Sequence, residues 1–226
     1  VIVDLHVHAS ERSGCSIAGE EELIRAAIDY GLDGLAFTDH HRLVGEERIE
    51  ELNLRYAPFR VFGGVEVSLV GGEDVLVYGV NEPALEAANW NYPELFRLVR
   101  SRGGFVTLAH PFRYSDSIAI DIERYPPDAV ETRSVHIDSR QAAMIRRTLA
   151  TRPLAPVFNS DAHRVEHVGL YCNDLERAVT TMGQLIEELK AGRYRFHADR
   201  HRIAAHNQTL DRERRLPLLA TPGRPA

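Results

Sequence analysis

Apolar and polar positions along the chain follow two periods, and each change of period marks a new element. Val1-Ile2-Val3 opens an apolar run that ends in Asp4-Leu5-His6-Val7-His8. A strand here places alternate side chains on one face, so Asp4, His6 and His8 are expected on the same side. Glu20-Glu21-Glu22 then leads into Leu23, Ile24, Ala27 and Ile28, a helical pattern with acids in the first turn, where the helix dipole favours them, and Gly31 as the stop. Gly34 to Thr38 is a second apolar run, ending in Asp39-His40-His41. Glu46 to Tyr56 reads as an exposed helix, closed at Pro58. Arg60 to Ser68 is a strand with Glu66 embedded among apolar residues, and Gly71-Gly72 turns the chain into Asp74 to Gly79, which can pair back as a hairpin.

A helix is expected from about Pro93 to Arg102, stopped by Gly103-Gly104, before the strand Phe105 to Ala109 delivers His110-Pro111. Asp128 to Glu131 forms a short strand ending in an acid. Asp138 to Ala150 has helical spacing, and a brief strand to Phe158 ends in Asn159-Ser160-Asp161-Ala162-His163. The stripe of Leu175, Ala178, Val179, Met182, Leu185, Ile186 and Leu189 predicts a last helix from about Asp174 to Lys190. Residues 1–197 are expected to form one domain, and the Arg-rich residues 198–226 a tail that docks loosely or is disordered.

Strands and helices alternate without an internal repeat or linker, which points to a single α/β domain. Polar residues fall repeatedly just after an apolar strand, as expected when the strands of a barrel deliver a site to one rim. A doubly wound open sheet is the alternative, but it favours a glycine-rich phosphate loop after its first strand, where this chain has His6 and His8.

Composition removes several function classes. The 226 residues, 44% hydrophobic and 27% charged, can bury a substantial core unaided. No apolar run approaches the ~20 residues needed to span a bilayer, and no secretory signal pattern opens the chain, so a cytoplasmic location without a membrane partner is expected. Cys15 and Cys172 are too few for a disulfide framework, which fits a reducing compartment. The formal net charge of −6 argues against a grip on long nucleic acid, though not against a small phosphorylated substrate.

Five separated places offer metal-type ligands: His6 with His8, Asp39-His40, Glu66, His110, and Asp161 with His163. They lie at or near the ends of apolar runs, and together they mix imidazole with carboxylate, the donor set of zinc, manganese or iron rather than calcium. Singly each has a structural reading: a turn histidine at His110, an arginine-paired Glu66, a helix-capping Asp161. Jointly they point to a metal cluster. His41, His136, His167, His197, His201 and His206 match no such position and are expected to be solvated or capping residues.

The runs Asp4-Leu5-His6-Val7-His8-Ala9-Ser10, Gly34 to His40, Gly64-Val65-Glu66, Ala109-His110-Pro111 and Ser160-Asp161-Ala162-His163 resemble, in order, the motifs of the PHP superfamily, the polymerase and histidinol phosphatase domains. The resemblance spans roughly residues 1 to 165 and implies a distorted seven-stranded β/α barrel of TIM-like type that holds two or three divalent ions and hydrolyses phosphoesters. It implies that His6, His8, Glu66 and Asp161 hold a first ion, that Glu66 bridges to a second with His110, and that His40 and His163 belong to a third. Two positions depart from the pattern. Cys15 stands in Ser13-Gly14-Cys15-Ser16, where the family has an Asp or His, so that either its thiolate ligates or the third site is weak or empty; Asp74 stands where a His is usual, and a carboxylate can still ligate the second ion. Asp4 is expected to orient His6 or His8, with Asp39 and Glu131 as further supporting acids, and Arg113 to reach a phosphate from the rim.

The expected function is therefore hydrolysis of a small phosphorylated substrate by a metal-activated hydroxide, with Glu66, Asp161 and His163 at its centre. A histidinol-phosphate phosphatase and a nucleotide or oligonucleotide exonuclease are alternatives. A non-catalytic, metal-stabilised interaction module is the alternative from another class.

Overall fold

The computed structural model describes residues 1–152 and 154–208. Seven strands, β1 (Ile2–Val7), β2 (Gly34–Phe37), β3 (Arg60–Ser68), β4 (Asp74–Tyr78), β5 (Phe105–Leu108), β6 (Ala129–Arg133) and β7 (Ala155–Phe158), lie side by side in sequence order and curve into a nearly closed barrel. β1, β2 and β3 are parallel neighbours, and so are β5, β6 and β7. β4 runs against both its neighbours. The hairpin read from Gly71-Gly72 accounts for that reversal: both glycines take positive φ, 117° and 94°, which L side chains rarely adopt. The fold is thus the expected α/β barrel, distorted at one strand.

Closure comes from the segment after β7. His8 N donates to Ala162 O at 2.9 Å and Ala162 N to His6 O at 3.1 Å, so residues 160–163 lie against β1 at the site end. Lower down, Asn173 bridges to Phe158, donating from Nδ2 to Phe158 O at 2.8 Å.

Helices α1 (Glu20–Asp29), α2 (Glu46–Arg55), α3 (Tyr92–Ser101) and α4 (Ser139–Thr151) pack outside the barrel. Side-chain caps set two of the starts: Asn91 accepts from Glu94 N, and Asp138 from Gln141 N within a capping box.

The expected helix from Asp174 to Lys190 is corrected. Its first part is β8 (Cys172–Leu175), antiparallel to β1, and α5 (Met182–Lys190) begins only after Thr181 caps it. β9 (Tyr194–His197) then pairs with β8 at the sheet edge. Leu175, Val179, Leu185 and Leu189 are buried in one cluster all the same. A strand, a turn and a helix that share one apolar layer can produce the same stripe as a single long helix.

That cluster fills the barrel: Val3, Leu5, Ala36, Phe62, Leu76, Tyr78, Phe105, Ala129 and Val157 point inward from the seven strands, and Leu185, Ile186 and Leu189 of α5 cover the end away from His6 and His8. Burial on this scale, at about 25 cal/mol per Å² of apolar surface, is what fixes the strand ends in place. Of the expected tail, residues 200–208 are helical: Arg202 donates to Val168 O at 2.8 Å and lies over the Tyr30 ring. Residues 209–226 of that tail lie outside the described residues. No helix among the described residues is long and apolar enough to cross a membrane.

Candidate metal centre

Register decides which side chains meet. β1 pairs with β2 as Val3↔Gly34 and Asp4↔Leu35, but the next pair is Val7↔Phe37, so β1 carries one extra residue between Asp4 and Val7. Such a bulge lets two successive side chains face the same way. Leu5 packs in the barrel interior, and His6 follows it inward, whereas Asp4 lies beside Leu35 on the helix-facing side. The expectation that Asp4 shares a face with the two histidines is therefore corrected, and so is its role as a ring-orienting acid. Its Oδ1 accepts from Ser160 N at 3.0 Å and its Oδ2 from Gly169 N at 2.9 Å and from Ser160 Oγ, which ties β1 to the loop carrying Asp161. Burial outweighs those bonds and pushes the Asp4 carboxyl up to about 6.

Four side chains converge just past the strand ends. His6 Nε2 lies 3.3 Å from both Glu66 Oε2 and Asp161 Oδ1, and His8 Nε2 lies 3.2 Å from each of the same oxygens. The residues are buried, and none of these four atoms has an aligned hydrogen-bond partner among the described residues. Such atoms are costly to bury, and a cation among them would satisfy all four. Burial alone would depress His8, but Asp161 and Glu66 outweigh it and raise the ring to about 9. Conversely, burial would raise Glu66 and Asp161, yet the surrounding imidazoles hold both carboxyls well below their ordinary values.

The far nitrogens of both rings are committed. His6 Nδ1 lies 3.0 Å from Glu131 Oε1, which also accepts from Asn159 Nδ2 at 2.8 Å; Glu131 Oε2 accepts from His110 N at 3.0 Å. His8 Nδ1 lies 3.4 Å from Ser13 Oγ. Because Ser13 spends its one hydroxyl proton on Asp39 Oδ1 at 2.7 Å, it can only accept from His8. In its neutral form each ring then carries its proton on Nδ1 and offers Nε2, the tautomer a metal ligand requires once an ion displaces the second proton. Asp39 organises the loop beneath, accepting from Ala9 N at 2.7 Å and Arg12 Nε at 2.7 Å.

Further groups surround this set. His110 Nε2 stands 2.9 Å from Glu66 Oε1 and 4.0 Å from Asp74 Oδ2, so Asp74 joins His110 beside the second oxygen of Glu66. His8, Cys15, His40 and His163 bring their ligand atoms within 4.8 Å of one another. Cys15 thus reaches the position its place in the sequence left open. His163 Nδ1 is 3.0 Å from Asp161 O, leaving Nε2 bare. Arg113 Nη1 donates to Asp161 Oδ2 at 3.1 Å. Asp161 itself holds φ at 56°, a left-handed conformation uncommon outside glycine.

Two expectations about histidines separate here. His41 does face elsewhere, with Nε2 accepting from Ser68 N and Nδ1 against Ala87 O, both at 3.2 Å. His136, expected to be solvated or capping, instead puts Nε2 3.8 Å from Asp161 Oδ2 and groups with Asp161 and His163. The loop after β6 brings it there, held by Val135 N donating to Ser160 O at 3.0 Å. Nothing in the local sequence marks that loop, nor Ser13 and Asn159, whose roles are set by which chains they lie against.

A family model described as "PHP domain" matches residues 4–147, and one described as "PHP-associated" matches residues 140–194. No curated protein matches. Among solved structures, the fold is similar to PsfC from Pseudomonas syringae PB-5123, with a TM-score of 0.69 and 20% identity over 95% of this chain and 98% of that one. It is similar also to a two-domain protein from Bacteroides vulgatus ATCC 8482 containing a predicted PHP-like metal-dependent phosphoesterase, at a TM-score of 0.62 and 15% identity over 88% of this chain and 64% of that one. A third similar structure is an amidohydrolase from Chromobacterium violaceum with bound sulfate and no metal, at a TM-score of 0.62 and 18% identity over 83% and 96% of the two chains. With the PHP domain matched over residues 4–147, more than half of its length, this chain belongs to the PHP domain family.

Proposed function

We propose that this protein hydrolyses the phosphoester of a small phosphorylated molecule, using two or three divalent ions of zinc, manganese or iron at the mouth of the barrel. The observation that carries this reading is the meeting of His6 Nε2, His8 Nε2, Glu66 Oε2 and Asp161 Oδ1, all buried without an aligned partner among the described residues. These four residues would hold a first ion. Glu66, His110 and Asp74 would hold a second, and His40, His163 and Cys15 a third. Divalent ions held there would supply Lewis acidity, offsetting the charge of the phosphoryl oxygens and lowering the pKa of water towards neutral.

The chain's own groups prepare that chemistry. Glu131 and Ser13 fix the tautomers of His6 and His8. Arg113, with one arm on Asp161, is placed to fork onto a phosphoryl oxygen. Burial pushes His163 down to about 4, so near pH 7 it is neutral, and its bare Nε2 either ligates or relays a proton. Hydrolysis forms a bond from water oxygen to phosphorus and breaks the ester P–O bond. A proton from water ends on the departing alkoxide. The net charge of −6 favours a small substrate over long nucleic acid. Two free cysteines, Cys15 and Cys172, suit the reducing cytoplasm as the place of action.

Protein loaded in turn with zinc, manganese and iron, and assayed on phosphomonoesters and phosphodiesters, tests the reading. Metal-dependent turnover is expected, lost on chelation and in His8→Ala. If wild type and His8→Ala are indistinguishable on every ester, the proposal is wrong. Turnover of amides alone would move the chemistry to the amidohydrolase type.

A further inference from the structure

Beside the cluster lies a cavity of about 760 Å³. Cys15 and His163 line it at the cluster edge, Arg113 and His136 come from the loops after β5 and β6, and Arg202 comes from the helix at 200–208. Its size falls within the roughly 300–1,000 Å³ typical of small-molecule sites.

Charge sets this cavity apart. Three arginines, Arg113, Arg164 and Arg202, line it against one carboxylate, Glu166, in a chain whose net charge is −6. His167 adds nothing to the positive side, because burial pushes it down to about 4 and leaves it neutral near pH 7.

The three arginines have different commitments. Arg113 is bound to Asp161 and so belongs to the reacting end. Arg202 is fixed from behind, with Nη2 donating to Glu166 O at 3.1 Å and Val168 O at 2.8 Å and its guanidinium 3.4 Å from the centroid of the Tyr30 ring. Arg164 is exposed, and although its backbone carbonyl accepts from His167 N at 3.1 Å, its guanidinium has no hydrogen-bond or ion-pair partner among the described residues. A guanidinium fork with no protein carboxylate to bind, at the wall of a concave site, matches a carboxylate or phosphate on a ligand.

We infer that the cavity is a subsite for a second anionic group on the substrate, a phosphate or a carboxylate, gripped by Arg164 with Arg202 beside it. The reacting phosphate lies at the other end, next to Arg113. The inference rests on the phosphoesterase reading only for which group sits at the metals. It also gives the helix at 200–208 a task, since that helix supplies one wall of the specificity site.

The test compares ligands that differ only in the second charge. Metal-loaded protein is assayed with phenyl phosphate, 4-carboxyphenyl phosphate and 1,4-phenylene bisphosphate. Binding of phenylphosphonate and 1,4-phenylenebisphosphonate, which have no scissile ester, is measured by calorimetry. The second anion is expected to raise kcat/KM and tighten phosphonate binding about tenfold or more, the scale of one charge-assisted hydrogen bond. That advantage falls towards one in Arg164→Gln and persists in Arg140→Gln, whose side chain pairs with Asp116 on the surface. The carboxylate and bisphosphate arms tell which anion is preferred. Equal values for all ligands, an advantage untouched by Arg164→Gln, or no binding of either phosphonate overturns the subsite. If no ester turns over but the bisphosphonate binds tighter in an Arg164-dependent way, the subsite stands and the phosphoesterase reading falls.

Discussion

At the mouth of the barrel, His6, His8, Glu66 and Asp161 stand on strands or on the residue pairs that close them, and all are buried. In the cavity next to it, His136, Arg164, His167 and Arg202 stand on loops and on the helix at 200–208, and all are at least partly exposed. The chemistry of the two sets overlaps, but their mounting differs. Strand register and burial fix the first set closely, which a metal cluster needs because ligand distances tolerate little error. Loops fix the second set more loosely and can change without disturbing the sheet, which suits the choice of substrate. The expected division is that the mouth governs whether chemistry occurs and the cavity governs on what.

Variants can break that division. Glu66 faces His6 with Oε2 and His110 with Oε1; Glu66→Gln replaces one of these oxygens with an amide nitrogen and removes the charge, and is expected to lose at least one ion and to lower kcat by about a thousandfold or more, several kcal/mol of barrier. Full metal content by elemental analysis in that variant contradicts a bridging Glu66. Glu131→Gln keeps the shape but weakens the hold on His6 Nδ1, and a drop of about 10–100-fold in metal affinity is expected, read by competition with a chelator. An unchanged affinity would mean that the tautomer is set without Glu131.

pH separates the two regions more gently. In chelated protein His8 is raised from 6.5 to about 9, with His6 and His110 raised in the same direction. A raised folded-state pKa gives stability that is present below the unfolded value and lost as pH climbs through the folded one. Chelated protein should therefore lose about 3 kcal/mol between pH 6.5 and 9, measured by denaturant titration. Metal-loaded protein should show no such loss if, as proposed, its imidazoles hold an ion in place of a proton. The smallest effect is expected at His41, which follows His40 in sequence but serves the backbone of Ser68 and Ala87: His41→Ala should cost about 1 kcal/mol of stability and change kcat/KM less than about twofold. A loss of metal in His41→Ala would place it in the cluster after all.

How far the site was legible depends on how each residue is mounted. His6, His8, Glu66, His110 and Asp161 could be read because each lies at or near the end of an apolar run, and the end of a buried strand is where a barrel delivers side chains. The hairpin at Gly71-Gly72 was legible for a similar local reason, since only glycine readily takes those backbone angles. The start of α5 was not. Leu175 and Val179 are apolar whether a helix or a sheet edge buries them, and only the pairing of Ile2 with Asp174 decides. His136 was missed because a loop has no period, and its approach to Asp161 depends on a backbone bond from Val135 to Ser160 across the mouth.

By itself the sequence determined which residue types arrive at the mouth and in what order, because strand ends and turns are encoded within a few neighbouring residues. Tertiary structure alone decided their facing and their company. The extra residue in β1 turned Asp4 away from His6, the closure of 160–163 against β1 brought Asp161 between the two imidazoles, and the return of residues 200–208 placed Arg202 near Arg164. Each of these depends on contacts between segments distant along the chain, and the free energy of such contacts is not set until the barrel has closed.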